Sequence, residues 1–415
     1  MIFLLLFNFL CYFSVNGTPH PMKIAVISGY GTLDSDMQTE LQNSLKWFQS
    51  AFLVNKSSNP VTIKDVFQSI PEYQKFSSVL VQTHLHRQNI KLQDVQQLLE
   101  VADFTVFVIA QDPRRCARDP DLLAEAMPIV PPLATMSICL KNNPRHRNPS
   151  LDSRFFFDLF RHEILHGLGY GMIIDKSSLT HRPSEKYIWR NSNGIGHPEM
   201  RQFLDFDDFA LKKAKSHFGC DKMKGIDADG ERKNHLNEYI FGNELMTTHL
   251  EASGNIFSWI SVGIIERTFN GKEQWYHINR TFVAPEANQY SYGRNFGCDF
   301  LQRSCHEFIK ITEKLRPNMS IAPFCSKNNR NKCFKLPGSE LVYKMSDKEC
   351  EMRRVIGDES VSSCGGNEHK SHSLCFLMTQ STIYHLQTDK QQQRRCPIIK
   401  HLPVNYEVVQ CPRAG

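Results

Sequence analysis

The chain opens on an apolar run, residues 1–17, that closes on small residues. Beyond it the hydrophobic positions switch between two periods. Residues 22–28 (Met-Lys-Ile-Ala-Val-Ile-Ser) read as a strand, halted by Gly29-Tyr-Gly31. Asp34 and Ser35 offer N-caps for a helix reaching about Leu53, because Met37, Leu41, Leu45, Phe48 and Phe52 recur at three- and four-residue spacing. Residues 60–63, 78–81, 103–109 and 133–140 carry strand patterns, and 103–109 is apolar enough to be buried on both faces. Helical spacing returns over 152–169. The stretch 171–234 is polar and irregular apart from a helix around 205–218, and a further helix is expected over 251–268. Past Pro317 the chain is punctuated by cysteines and low in periodicity. Strands alternating with helices in the first part predict an α/β layer with a mixed sheet.

Composition narrows the class. Hydrophobic residues make up 41 % and charged residues 22 % of 415, as in ordinary globular chains. The formal charge of +6 is scattered, with no basic stripe interleaved with aromatics, so nucleic-acid binding is not expected. The opening run is too short to span a bilayer, which takes about 20 apolar residues, and it reads as a secretory signal cleaved after Gly17. The final residues show no hydrophobic tail, so a released, secreted protein is expected. Of 13 cysteines, Cys11 lies in the signal, leaving twelve, and seven of those crowd the last quarter without any Cys-x-x-Cys pair. That distribution points to disulfides in an oxidising compartment. Cys116 and Cys139 bracket a proline-rich loop and are expected to pair. Sequons at Asn55, Asn279 and Asn318 are compatible with glycosylation.

Residues 157–170 carry the chemistry. Within the predicted helix, His162 and His166 stand four apart and so project from one face, suited to two imidazoles around one zinc ion. Glu163, beside the first histidine, can take a proton from a water that the metal activates. With 17 histidines in 415 residues, His-Glu-x-x-His is expected by chance about 0.03 times. Gly169 follows where the zinc proteases called metzincins turn the chain away from this helix, and a glycine takes positive φ freely. The common metzincin position for a third histidine holds Met172 here. His181, His197, His217, His235 and His249 are the alternatives. His235 stands out because Met246 follows it closely, as a methionine-containing turn follows the third ligand in metzincins. Asp227-Ala-Asp-Gly230 lacks the remaining spacing of a calcium loop and reads as an ordinary turn.

The sequence resembles the leishmanolysin family of metzincins, which carry a long insertion between the glycine and the third histidine. The likeness rests on four ordered segments: residues 162–169, 210–220, 235–247 and 292–305, within a span of about 22–310. It implies His235 as third ligand, Met246 as the residue of the methionine turn, endopeptidase activity, one zinc per chain and no nucleotide cofactor. Leu236 stands where family members often have tryptophan, and residues 227–234 replace a glycine- and serine-rich approach. No cysteine lies between Thr18 and Arg115, so latency through a zinc-blocking thiol is not expected.

The fold class expected is therefore α+β, metzincin-like. A signal occupies 1–17. An N-terminal catalytic subdomain with a mixed sheet and the active-site helix follows over 18–175, and a mostly helical central subdomain with the third histidine over 176–315. A cysteine-rich, disulfide-stapled domain closes the chain over 316–415. The catalytic cleft is expected between the first two. The expected partners are protein or peptide substrates, with a monomer assumed and no transmembrane segment. The competing class is a catalytically weak adhesion protein built on the same scaffold.

Overall fold

The computed structural model describes residues 19–28, 33–54, 91–119, 122–130, 133–143, 154–171, 184–190, 196–206, 209–230, 232–248, 250, 254–267, 276–303 and 305–316, with short strands at 332–335, 342–344 and 407–410. The opening run, the patterns at 60–63 and 78–81, Met172, His181 and His249 lie outside the described residues. The chain divides into two compact units. One comprises Met1–Leu179 with Ile265–Pro285, the other Thr180–Ile264 with Glu286–Gly415.

In the first unit, β1 (His20–Pro21) leads into β2 (Ile24–Ser28), and α1 (Ser35–Ala51) follows. Asp34 caps α1 by accepting from the Met37 N–H at 2.8 Å, which satisfies one of the donors a helix start leaves open. Met37, Leu41, Leu45 and Phe48 form its buried stripe, each no more than 2 % exposed. The helix stops at Phe52, which enters β3 (Phe52–Val54). That strand is the centre of a small antiparallel sheet between β1 and the strand Tyr276–Ile278. Next come α2 (Leu92–Val101), β4 (Phe104–Ala110), α3 (Pro113–Arg118), β5 (Ala124–Val130) and β6 (Leu133–Ile138).

The main sheet runs in the order β2-β4-β6-β5. Its first three strands are parallel and β5 is antiparallel to β6, which is the mixed sheet the pattern predicts. All six residues of β6 are buried, as continuous apolar strands in a parallel layer are. Sequence periodicity does not reveal β5. It holds two small residues and Pro128, with a register shift between Pro128 and Val130, and proline is tolerated at a sheet's edge because it lacks the ladder N–H. The expected bond between Cys116 and Cys139 is present and ties α3 to the end of β6. Helix α4 (Arg154–Gly167) packs against α1, β5 and β6.

The second unit departs from expectation. The polar stretch read as irregular carries β7 (Ser184–Arg190) and β8 (Gly196–Asp205), and after α5 (Ala210–Phe218) come β9 (Ile226–Asp229) and β10 (His235–Leu236). Together they form a four-stranded antiparallel sheet ordered β10-β9-β8-β7, which stands beside the helices expected in the central region. Cross-strand pairing rather than a clean apolar alternation holds these strands, and charged residues such as Glu185, Lys186 and Arg201 mask the pattern. Asp205, fully buried, accepts from the backbone N–H groups of Ala210 and Leu211 at 2.7 and 3.2 Å, so the cap of α5 comes from the end of β8. Helices α6 (Glu238–Phe241), α7 (Trp259–Arg267), α8 (Cys298–Gln302) and α9 (Cys305–Leu315) follow, with Phe218, Phe296, Phe300 and Phe308 packed ring against ring. A second disulfide joins Cys220 to Cys298. The strands Lys332–Lys335, Val342–Lys344 and Glu407–Gln410 form a small antiparallel sheet that the low periodicity past Pro317 does not announce.

Candidate metal centre

Helix α4 is enclosed on every face. Phe156, Phe160, Ile164 and Leu165 are at most 1 % exposed, and the polar residues Asp158 and Arg161 are equally buried. Arg161 meets Asp158 at 2.6 Å, one turn earlier, while its guanidinium lies 4.9 Å from the Trp47 ring and 4.6 Å from that of Phe157. Burying a charge is costly unless it is paired, and here the partner sits on the same helix. Ser44 of α1 donates to the Phe157 carbonyl at 3.0 Å, which fixes α4 against α1.

His162 and His166 emerge from this helix 5 % and 3 % exposed, with their Nε2 atoms 3.1 Å apart. A tetrahedral zinc with ligand bonds near 2.0–2.1 Å separates its nitrogens by about 3.3 Å, so the pair already has the spacing of two ligands on one ion. His166 Nδ1 lies 3.3 Å from the Tyr170 carbonyl oxygen. A carbonyl only accepts, so this contact places the proton on Nδ1 and leaves Nε2 its lone pair, the state a ligand needs. Gly169 sits between, at φ 100°, in the turn that brings the Tyr170 carbonyl back to the helix. Tyr276, fully buried, donates its hydroxyl to the Leu168 carbonyl at 2.9 Å and holds the same turn; burial raises its pKa well above the usual tyrosine value.

Glu163 is 4 % exposed. Its pKa is pushed up to about 8, first by burial and then by the negative charge of Glu125, against a lowering contribution from a hydrogen bond with the Ala126 backbone on β5. Its Oε2 is buried and accepts no hydrogen bond among the described residues. A buried acceptor left open in this way is the kind of group that receives a proton or a water's hydrogen.

His235 and Met246 lie in the second unit. His235, half-buried, pairs in register with Asp229, and Leu236 donates its N–H to the Met246 carbonyl at 2.8 Å. The histidine strand and the methionine turn are thus tied one residue apart. Met246 is fully buried, and its N–H is held by the Glu244 carboxylate at 2.6 Å. Glu244 also accepts from Ser258 N–H at 3.0 Å and Ser258 Oγ at 2.8 Å. Burial nevertheless raises its pKa to about 7. Among the described residues, His162, His166 and His235 are a group able to hold a metal ion, with one ligand atom from each lying within 4.8 Å of the others.

No family model matches the chain. Leishmanolysin-like peptidases do resemble it. That of Drosophila pseudoobscura pseudoobscura is 28 % identical over 202 residues, 40 % of this chain and 28 % of that protein. The Caenorhabditis elegans protein is 24 % identical over 269 residues, covering 54 % of this chain and 38 % of its own length. The Drosophila melanogaster protein is 30 % identical over 123 residues, 28 % of this chain and 16 % of the relative. The chain therefore spans well under half the length of these relatives, and the likeness supports kinship with the group without selecting a member.

Among the described residues, no other histidine joins the group. His217 donates from Nε2 to the Tyr292 carbonyl at 2.7 Å and stacks on Tyr290 at 4.6 Å, and burial lowers its pKa to about 4. His197 falls in β8, and His277 in the strand beside β3. Asp227–Asp229 belong to β9, with Asp227 paired to Arg201, so the stretch read as an ordinary turn is a strand end and only Gly230, at φ 79°, turns the chain. Sequence reasoning missed Glu244, Tyr276 and the Ala126 contact. Only an acidic residue inside the apolar run around Leu245 and Met246 hints at the first; the others exist only after folding.

Proposed function

We propose that this chain is a secreted zinc endopeptidase of the leishmanolysin type, with His162, His166 and His235 holding one zinc ion and Glu163 as general base. The observation that carries the reading is the meeting of three imidazoles beside a buried carboxylate with an open oxygen. When bound, zinc supplies a Lewis acid that polarises the scissile carbonyl and acidifies a water in the site. Glu163 Oε2 then takes the proton of the attacking water and passes it to the leaving amine. A cation among the imidazoles favours the carboxylate form of Glu163 and opposes the upward push of burial. The backbone of β5, which carries Ala126, aligns the extended peptide. Met246 serves as the residue of the methionine turn, and Gly169 turns the chain out of the helix.

Secretion is supported by the disulfides Cys116–Cys139 and Cys220–Cys298, which persist in oxidising compartments, and by the apolar opening run. Among the described residues no helix is long and apolar enough to cross a membrane. The substrates proposed are proteins or peptides, cut by a monomer. Glu163→Gln is the direct test. It should abolish cleavage of a casein-type substrate, by at least a factor of about 100, while zinc content stays at the wild-type value. Full activity in this variant would refute the proposed base, and an inert wild-type protein would favour an adhesion role.

A further inference from the structure

In the second unit, β7, β8, the turn at 222–225 and α8 enclose a cavity of about 270 Å³. Phe203, Met223 and Leu301, at 5 %, 7 % and 3 % exposure, give it an apolar wall. Its buried end is the Arg201–Asp227 ion pair, with Arg201 also donating to the Leu301 carbonyl at 2.9 Å. At the exposed end Lys224 meets Glu185 at 2.5 Å. Lys222 is exposed there too, and among the described residues it has no hydrogen bond or ion pair. The lining carries three cations and two carboxylates, so Lys222 is the unmatched charge.

Two features make the cavity a built one. The Cys220–Cys298 disulfide cross-links the chain just before the turn at 222–225 to the start of α8, so opposite walls are joined covalently. Gly225 admits the Phe203 ring where a Cβ would lie 2.3 Å from it, so only glycine lets this wall close. A cavity whose walls are already fixed binds without the entropy cost of ordering them.

We infer that this cavity binds one carboxylate on an aliphatic stem, the glutamate side chain of an acidic protein segment, with the carboxylate on Lys222 and the stem on Phe203, Met223 and Leu301. Sulfated or phosphorylated polymers fit it poorly. Glu185 and Asp227 repel dense negative charge, and a polyanion needs several open cations where this site offers one. That the bound protein is also a substrate rests on the peptidase reading; the binding itself does not.

The test uses the full chain carrying Glu163→Gln, so that no probe is cut, and a fluorescently labelled peptide with two glutamates in an alanine background. Anisotropy should show saturable binding. The glutamine version of the peptide, and separately Lys222→Glu, should each weaken it at least tenfold, with the thermal unfolding of the Lys222 variant unchanged. Equal binding of both peptides, indifference to Lys222→Glu, or displacement by a heparin oligosaccharide more readily than by unlabelled glutamate peptide would overturn the assignment. Because the readout is binding by an inactive variant, its failure leaves the peptidase reading standing, and an inactive wild type leaves this site standing.

Discussion

His217 shows how one buried imidazole reports on pH. Its folded pKa, near 4, lies below the ordinary histidine value of 6.5, so between those values the unfolded chain binds a proton that the folded chain refuses. Its contribution to stability is therefore present above about 6.5 and is lost as pH falls through 4. Titration followed by imidazole NMR should find His217 neutral at pH 5, and a midpoint near 6.5 would contradict the burial argument. Glu244 offers a second residue-scale test. Glu244→Ala leaves the buried N–H groups of Met246 and Ser258 without their acceptor, and each such loss costs about 1–3 kcal/mol. Chemical denaturation should show a destabilisation of about 3 kcal/mol.

Among the elements, α4 and the turn after it define the centre. Tyr276→Phe removes the hydroxyl that binds the Leu168 carbonyl while keeping the ring. It should cost about 1 kcal/mol and weaken metal retention under a chelator challenge, because the turn orients the Tyr170 carbonyl on His166. Asp34→Ala, which strips the α1 cap, should cost a similar amount without altering metal retention. The contrast separates general stability from control of the site. These elements also differ in how far sequence discloses them. α1 and α4 were legible because their buried stripes follow the helical period and their caps or ligands sit at fixed offsets. β5 was not, because Pro128 and a bulge break its period, and β7 and β8 were not, because charged side chains occupy them. His162, Glu163 and His166 were visible from local spacing alone. His235 needed the company of Met246 and a family likeness, since nothing local joins it to residues some seventy positions earlier. Glu244 depends on Ser258, which sequence does not place beside it.

At the level of the whole chain, covalent staples carry stability that the core alone does not. The Cys220–Cys298 bond closes a loop with a separation of 78 residues, against 23 for Cys116–Cys139. Chain-entropy arguments give about 4.5 and about 3.4 kcal/mol respectively. Replacing the first pair by serines should therefore cost more than replacing the second, measured by urea denaturation without reductant. The reverse order would show that native-state strain, not loop length, governs these bonds. Both staples leave the three histidines untouched, so neither replacement should change zinc content in the folded fraction. The proposed zinc centre depends on its third ligand, and zinc per chain in purified His235→Ala, set beside the wild type, tests it most directly. One zinc in the wild type and a loss of most of it in the variant is the predicted result; a variant that keeps its zinc in full would contradict the three-histidine centre.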